Sequence, residues 1–345
     1  MQYSERLGTI SNEQFQKALD AFDLGKFIKA VPITQGLFGQ NVFVSSTKGE
    51  FVLRGCPYYD WQFKTEQYFV NALHEKTNIS VPFPYLLNES TDIFGWEYII
   101  MPRLDGINLL EDLSDNGKQG FLRHKDRLEI AVAQGEALKE AQKLTNPYCG
   151  TYDYNTQSIK PYSSSWIELF KNQIISYLEK SSKYNSYTPQ SDIEWAISIM
   201  NKASEYIEEF IPTFFMQDYK PGNMVVEKNG IWKVTGLFDF MESSFGHPEA
   251  DISRLTAFYI EWGRYDLAYT FINSYLSNSS YNSNFSRQEN TEAFFKRFPL
   301  FMLHDRLIIW NYCQRTNTVL WKKDLTFREW ITPCLSIDKL LKTVN

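Results

Sequence analysis

Three oxygen-bearing side chains stand at the ends of two short apolar runs, Asp218 and Asn223 before Met224-Val225-Val226 and Asp239 after Val234 to Phe238. Lys228-Asn229-Gly230 joins the runs, and Asn-Gly is a strong signal for a tight β-hairpin turn. A hairpin returns the far ends of its strands to one place, so the spacing predicts that Asp218, Asn223 and Asp239 converge at one edge of a small ribbon. Hard oxygen ligands around a point suit Mg2+, which takes few protein ligands and prefers phosphate oxygens for the rest. Asp and Asn beside hairpins are commonly turn formers. Asp239 fits that reading poorly, because it interrupts Leu237-Phe238-Asp239-Phe240 at the end of an apolar strand, where a carboxylate needs compensation.

The surrounding elements must hold this ribbon in place. Ser11 and Gln14 have the spacing of a capping box, with Phe15, Leu19 and Phe22 on one helical face and Gly25 as a left-handed end. Three β-prone runs follow, Ala30 to Thr34, Gln40 to Ser45 and Glu50 to Arg54, broken by Gly36, Gly39 and Gly49. A helical pattern covers Trp61 to Glu75, and a β-prone run from Trp96 to Met101 stops at Pro102. Beyond Asp105-Gly106 the pattern turns helical over Lys125 to Leu144. Ser165 with Glu168 and Ser191 with Glu194 have capping-box spacing, and Ser181 to Pro189 reads as a polar loop between those helices. Phe214 to Phe240 is a β-rich interruption, helices resume near Asp251, and Asn273 to Asn290 reads as a Ser/Asn-rich surface loop. The expected fold class is therefore α+β, with an antiparallel first lobe and a mainly helical second lobe.

Composition narrows the function classes. The chain has 345 residues, which suits two lobes, and its 16% aromatic share promises a large core. A net charge of -6 argues against a sequence-independent nucleic-acid binder and is compatible with a cationic small substrate. No apolar run reaches the roughly 18 residues of a membrane helix, and Met1 to Thr9 lacks the apolar stretch of a secretory signal. The four cysteines, Cys56, Cys149, Cys313 and Cys334, show no paired spacing. A reduced, cytoplasmic protein without a zinc site or disulfides is the expectation. Four histidines leave little material for a His-based metal site or a Ser-His triad.

Met216-Gln-Asp218-Tyr-Lys-Pro-Gly-Asn223, followed by Leu237-Phe-Asp239-Phe240, resembles the aminoglycoside phosphotransferase and choline kinase superfamily, relatives of protein kinases. The family signature runs HxDxxxxN and then a strand ending in IDF or IDW. Its trailing GDPxxDL element appears as Gly246-His-Pro-Glu-Ala-Asp251-Ile252. The resemblance covers roughly residues 30 to 260 and implies a bilobal protein-kinase-like fold. The nucleotide-binding lobe would span 1–104 with a hinge near 100–105. The helical lobe would span 105–345, with a catalytic loop at 216–223 and a metal-binding strand end at 237–240.

Position by position, the resemblance makes Asp218 the catalytic base, Asn223 and Asp239 the Mg2+ ligands, and Asp251 a structural tie between loop and helical lobe. Gly36-Leu-Phe-Gly39 resembles the flexible nucleotide loop, and Phe51-Val-Leu-Arg54 the strand whose cation lies over the phosphates. An arginine can grip phosphate oxygens bidentately. Glu66 matches the acidic partner that orients it. At the hinge, the Pro102 carbonyl would accept from the adenine amino group and the Leu104 N–H would donate to the ring. The family's histidine two residues before the base is Met216 here, and a thioether packs but hardly donates, which implies altered loop rigidity.

The resemblance thus implies transfer of the γ-phosphate of ATP, with GTP left open, to a hydroxyl of a small molecule. An aminoglycoside or related aminocyclitol leads, and a metabolite such as choline, a sugar or an amino alcohol is the alternative, as is a catalytically weak pseudokinase. Glu136, Glu140, Asp153 and Glu168 are candidates to meet ammonium groups of a cationic acceptor. Neither nucleic acid nor a membrane is expected as a partner, and the sequence does not speak to oligomeric state.

Overall fold

The computed structural model describes residues 2–33, 40–110, 122–184, 186–277, 287–319, 321–322 and 324–336. The chain opens with a small antiparallel pair, β1 (Gln2–Ser4) and β2 (Gly8–Thr9), and a helix, α1 (Asn12–Asp20). The expected capping box forms, with the Ser11 hydroxyl accepting from the Gln14 N–H and the Gln14 side chain accepting from the Ser11 N–H. The helix ends earlier than expected, at Ala21, so Gly25 with φ +84° turns the following loop and is not its cap.

A five-stranded antiparallel sheet follows, built from β3 (Phe27–Pro32), β4 (Asn41–Ser46), β5 (Gly49–Gly55), β6 (Leu86–Asn88) and β7 (Tyr98–Pro102) in the order β3-β4-β5-β7-β6. Successive strand residues face opposite sides. Val42, Val44, Phe51, Leu53, Tyr98 and Ile100 pack with Phe15 and Leu19 of α1 on one face. Val52, Ile99 and Met101 point to the other, where they join Phe63, Phe69 and Leu73 of α2 (Trp61–Lys76) and the core of the second lobe. Arg54 lies two residues after Val52 and therefore shares that inner face. The strand period alone aims its side chain between the lobes.

The second lobe is mainly helical, with antiparallel sheets of short strands. β8 (Ile107–Asn108) joins the hairpin described below, α3 is His124–Ala141, and β9 (Gly150–Asp153) pairs with β10 (Ser158–Pro161). Then come α4 (Trp166–Tyr184), α5 (Gln190–Ser204), β11 (Thr213–Phe215), β12 (Met224–Asn229), β13 (Ile231–Leu237) and β14 (Ser244–Gly246). The helices α6 (Ile252–Glu261), α7 (Tyr265–Ser277), α8 (Arg287–Thr316) and α9 (Phe327–Leu335) complete the chain. α3 packs on α7, and α4 and α5 pack on α8. The architecture is the α+β, bilobal, kinase-like one expected. No helix among the described residues is long and apolar enough to cross a membrane.

Three local expectations need correction. α4 continues to Tyr184 with Ser181 fully buried, its hydroxyl donating to the Tyr177 carbonyl, so the loop begins only after Tyr184, with turns at 186–188 before Pro189. Pro189 starts α5, which puts Ser191 inside the helix; Glu194 pairs instead with Gln190. The Ser/Asn-rich stretch is helical at both ends, in α7 through Ser277 and in α8 from Arg287, and its middle lies outside the described residues.

The helical core encloses a neutral imidazole. His304 stacks on Phe170 with ring centroids 3.8 Å apart and hydrogen-bonds Gln173 at 2.8 Å. Burial drives its pKa down to about 3. The folded value lies below the ordinary 6.5, so between pH 6.5 and 3 the unfolded chain binds more protons and stability falls as pH falls. Urea melts should show wild type losing about 1.4 kcal/mol per pH unit in this window relative to His304→Gln. Parallel pH profiles for the two proteins would refute it.

Candidate active site

The hairpin forms as its turn chemistry requires, with Gly230 at φ +76° between Asn229 and Ile231. Met224 pairs with Leu237, and the Phe238 N–H donates to the Asn223 carbonyl at 3.1 Å. Asn223 therefore sits beside Phe238, and Asp239 is the next residue along. Asp218 joins them from the preceding loop. The Asn223 amide donates to the Asp218 carbonyl at 2.9 Å and to its Oδ2 at 3.0 Å, which leaves the Asn223 amide oxygen as an acceptor. Lys220, not singled out from the sequence, also donates to Asp218 Oδ2. Burial works against the Asp218 charge, but Lys220 and Arg254 outweigh it and hold its pKa below the ordinary value.

The backbone is strained beside Asp218 and at Asp239. Gln217 and Asp239 have φ of +70° and +74°, in the left-handed region that side chains other than glycine rarely adopt. Such conformations persist where the surroundings over-determine them. For Gln217 the restraint is Asp251, buried at the foot of α6, whose two oxygens accept from the Met216 N–H at 2.7 Å and the Gln217 N–H at 2.8 Å. Burial pushes the Asp251 carboxyl up to about 7 against those two donors. Met216 itself fills the core as an apolar side chain. A second brace comes from α3. The Tyr219 hydroxyl donates to the Gln134 carbonyl at 2.7 Å, and the Gln134 side chain meets the Tyr259 hydroxyl and, at 3.3 Å, the sulfur of Met224.

Arg54 and Glu66 meet as expected. The buried guanidinium donates to Glu66 at 2.7 Å, to Asn41 at 2.8 Å and to Asp239 at 3.3 Å. Glu66 also accepts from the Tyr85 hydroxyl at 2.8 Å and the Phe240 N–H at 3.1 Å, the latter binding the first lobe to the strand end of the second. Burial opposes the Arg54 charge, yet Glu66 and Asp239 keep its pKa above the ordinary value. Asp239 is 29% exposed, so its carboxylate reaches both Arg54 and solvent. Three residues on, Glu242 stands at the surface, its carboxyl pushed up by the protein around it and by the charges of Asp239 and Asp218.

At the hinge, the Arg103 N–H donates to the Glu50 carbonyl at 3.0 Å, while Pro102 pairs with Phe51. In an antiparallel ladder hydrogen-bonded and non-bonded pairs alternate, so the Pro102 carbonyl turns away from β5. Leu104 lies over Gly236 of β13, where an added Cβ would come within 2.5 Å of its Cδ1. The expected nucleotide loop, Gly36 and Gly39, lies outside the described residues. The acidic candidates for a cationic acceptor are mostly engaged elsewhere. Glu140 accepts from the Asn78 N–H at 2.8 Å, Asp153 from the Asn155 N–H at 2.9 Å, and Glu168 from Ser165 at the start of α4, while Glu136 is an exposed residue of α3.

A model of the phosphotransferase enzyme family matches residues 29–284. No curated protein matches the chain in sequence. Among solved structures, a thermostable mutant of aminoglycoside phosphotransferase APH(4)-Ia, in ternary complex with ADP and hygromycin B, is 14% identical. The similarity covers 95% of this chain and 98% of that one, with a TM-score of 0.63. A putative fructosamine-3-kinase from Haemophilus somnus 129PT is 11% identical over 95% and 97% of the two chains, with a TM-score of 0.58. Choline kinase LicA from Streptococcus pneumoniae is 12% identical over 96% and 98%, with a TM-score of 0.53. At such identities these likenesses speak for the shared fold.

Proposed function

The chain belongs to the phosphotransferase enzyme family, and from that premise we propose that it transfers the γ-phosphate of ATP to a hydroxyl of a small molecule. The observation that carries this reading is the meeting of Arg54, Glu66 and Asp239 between the lobes, with Asp218 and Asn223 beside the same strand end. In this reading Arg54, fixed by Glu66, offsets phosphate charge, and the Pro102 carbonyl and Leu104 N–H receive adenine. Asp218 orients the acceptor hydroxyl and takes its proton.

The donor set fits Mg2+. Asn223 has its amide oxygen free of a hydrogen-bonding partner among the described residues, and Asp239 is partly exposed, so both would serve as hard ligands. When bound, the ion neutralises charge on the transferring phosphates. The protein's own part is positioning and a preset electrostatic field, from which most of the acceleration in such a site comes.

For the acceptor, a cationic alcohol is the preferred class, an aminoglycoside or amino alcohol being examples. Glu242 supports it, since it is exposed three residues after Asp239 and has no cationic partner among the described residues. A coupled assay of nucleotide consumption against aminoglycosides, choline-like alcohols and uncharged sugars tests both levels of the reading. Turnover should appear with an amine-bearing alcohol and vanish in Asp239→Ala, whose melting profile should remain cooperative. Full turnover in that variant would overturn the metal-site assignment, and a response to uncharged sugars alone would overturn the acceptor class.

A further inference from the structure

The loop that carries Asp218 contains no side chain that holds the inner oxygen of its carboxylate. Met216 is packed in the core, and Lys220 and Asn223 both act on Oδ2. Oδ1 is buried and accepts no hydrogen bond. The group facing it is the guanidinium of Arg254, from the first turn of α6, with Nη1 at 3.3 Å. Since 26% of the Asp218 side chain is exposed while Oδ1 is not, the exposed share lies on its other atoms.

Arg254 is not free to follow the carboxylate. Its Nε donates to Asp305 of α8, and Arg306 donates twice to the second oxygen of Asp305, at 2.8 and 2.6 Å. Arg306 in turn reaches Glu261 at the end of α6, at 2.8 Å, and lies 5.4 Å over the ring of Trp330. The result is a line of alternating charges, Asp218, Arg254, Asp305, Arg306, Glu261, that begins between the lobes, crosses the interior at the buried Asp305 and Arg306, and ends at the exposed Glu261. A buried ion pair is weak evidence for stability, because desolvation consumes much of the attraction. What a fixed guanidinium does supply is direction: it draws one carboxylate oxygen inward and turns the other outward.

We propose that Arg254, anchored by Asp305, is a positioning residue that fixes the orientation of the Asp218 carboxylate from behind. The functional part of this inference rests on the reading of Asp218 as the base; the orienting part does not. Arg254 acts through Asp218 and need not touch the acceptor. Its effect belongs in kcat, because Arg54, Glu66 and the hinge are untouched by the change. A misplacement on the order of 1 Å in a reacting group costs roughly 10²-fold.

Two readouts separate the levels. In crystal structures of the full chain, Arg254→Lys should keep the Asp218 carboxylate in place, whereas Arg254→Gln and Asp305→Asn should let it rotate toward Lys220 and Asn223. In assays of Mg-ATP turnover, Arg254→Gln should lower kcat about 10–100-fold with KM for ATP unchanged, Arg254→Lys should restore most of it, and adding Arg254→Gln to Asp218→Asn should cost nothing further. An unmoved carboxylate in both Arg254→Gln and Asp305→Asn overturns the inference, and so does a kcat loss that adds to that of Asp218→Asn. Rotation of the carboxylate in a protein whose wild type consumes no ATP would support the positioning and sink the proposed reaction instead.

Discussion

Asp218→Asn will leave ATP binding intact and lower phosphoryl transfer by about 10²–10⁴-fold, the usual worth of a positioned general base. The substitution preserves size, so the contacts that place the loop, from Met216 and Gln217 to Asp251 and from Tyr219 to Gln134, have no reason to change. What disappears is the negative charge between Lys220, Asn223 and Arg254, together with the lone pair proposed to receive the acceptor proton. Nucleotide titration should give a Kd within a few-fold of wild type, while single-turnover transfer collapses. A variant that binds and transfers as wild type does would remove Asp218 from the reaction.

The parts of this site legible in the sequence are those written locally. Asp218, Asn223 and Asp239 lie within one loop and one hairpin, and Asn229-Gly230 with two apolar strands is enough to bring their ends together. Glu66 was within reach only through the family resemblance, which pairs the strand cation Arg54 with an acid on the next helix. The remaining partners come from afar. Arg254 reaches Asp218 from the helix after the hairpin, Asp305 comes from a helix further on, and the Phe240 N–H that Glu66 accepts is 174 residues away in sequence. No spacing rule marks an arginine on a mostly buried helix as the partner of one particular carboxylate. Tyr219 and Gln134 escaped for the same reason: a buried tyrosine and a helical glutamine look like ordinary core and surface until α3 is laid against the loop.

Misjudged elements show the same limit from the other side. Ser191 and Glu194 have capping-box spacing, but Pro189, with its fixed φ, starts the helix earlier and strands the motif inside it. The polar look of Ser181 to Pro189 suggested a loop from its first residue, yet Ser181 is buried on its own helix and the chain leaves that helix only after Tyr184. Glu140, Asp153 and Glu168 were candidates for a substrate because they are acidic; each turned out to satisfy nearby N–H or hydroxyl donors. Local chemistry claimed them first.

The Arg54–Glu66 pair will respond to single and double replacement in opposite ways. Glu66→Leu removes the main counter-charge of a guanidinium that is 4% exposed and leaves the Tyr85 hydroxyl and the Phe240 N–H without their acceptor. Breaking a buried pair from one side costs about 3–5 kcal/mol, because the surviving charge stays desolvated. Asp239, at 3.3 Å, would take over part of that role and so be drawn away from the metal-binding role proposed for it. Glu66→Leu should therefore lose both stability and nucleotide binding. The double variant Arg54→Met with Glu66→Leu places apolar groups of similar volume in the same space and should regain much of the stability, as replacement of whole buried pairs often does. It should not regain nucleotide binding, because the cation proposed to face the phosphates is gone. Denaturant melts and nucleotide titration of the three proteins give the answer. A Glu66→Leu protein as stable as wild type would mean that the pair does not carry a buried charge. A double variant that still binds ATP at full strength would remove Arg54 from the phosphate site, and with it the reason the first lobe has for holding an arginine on its inner face.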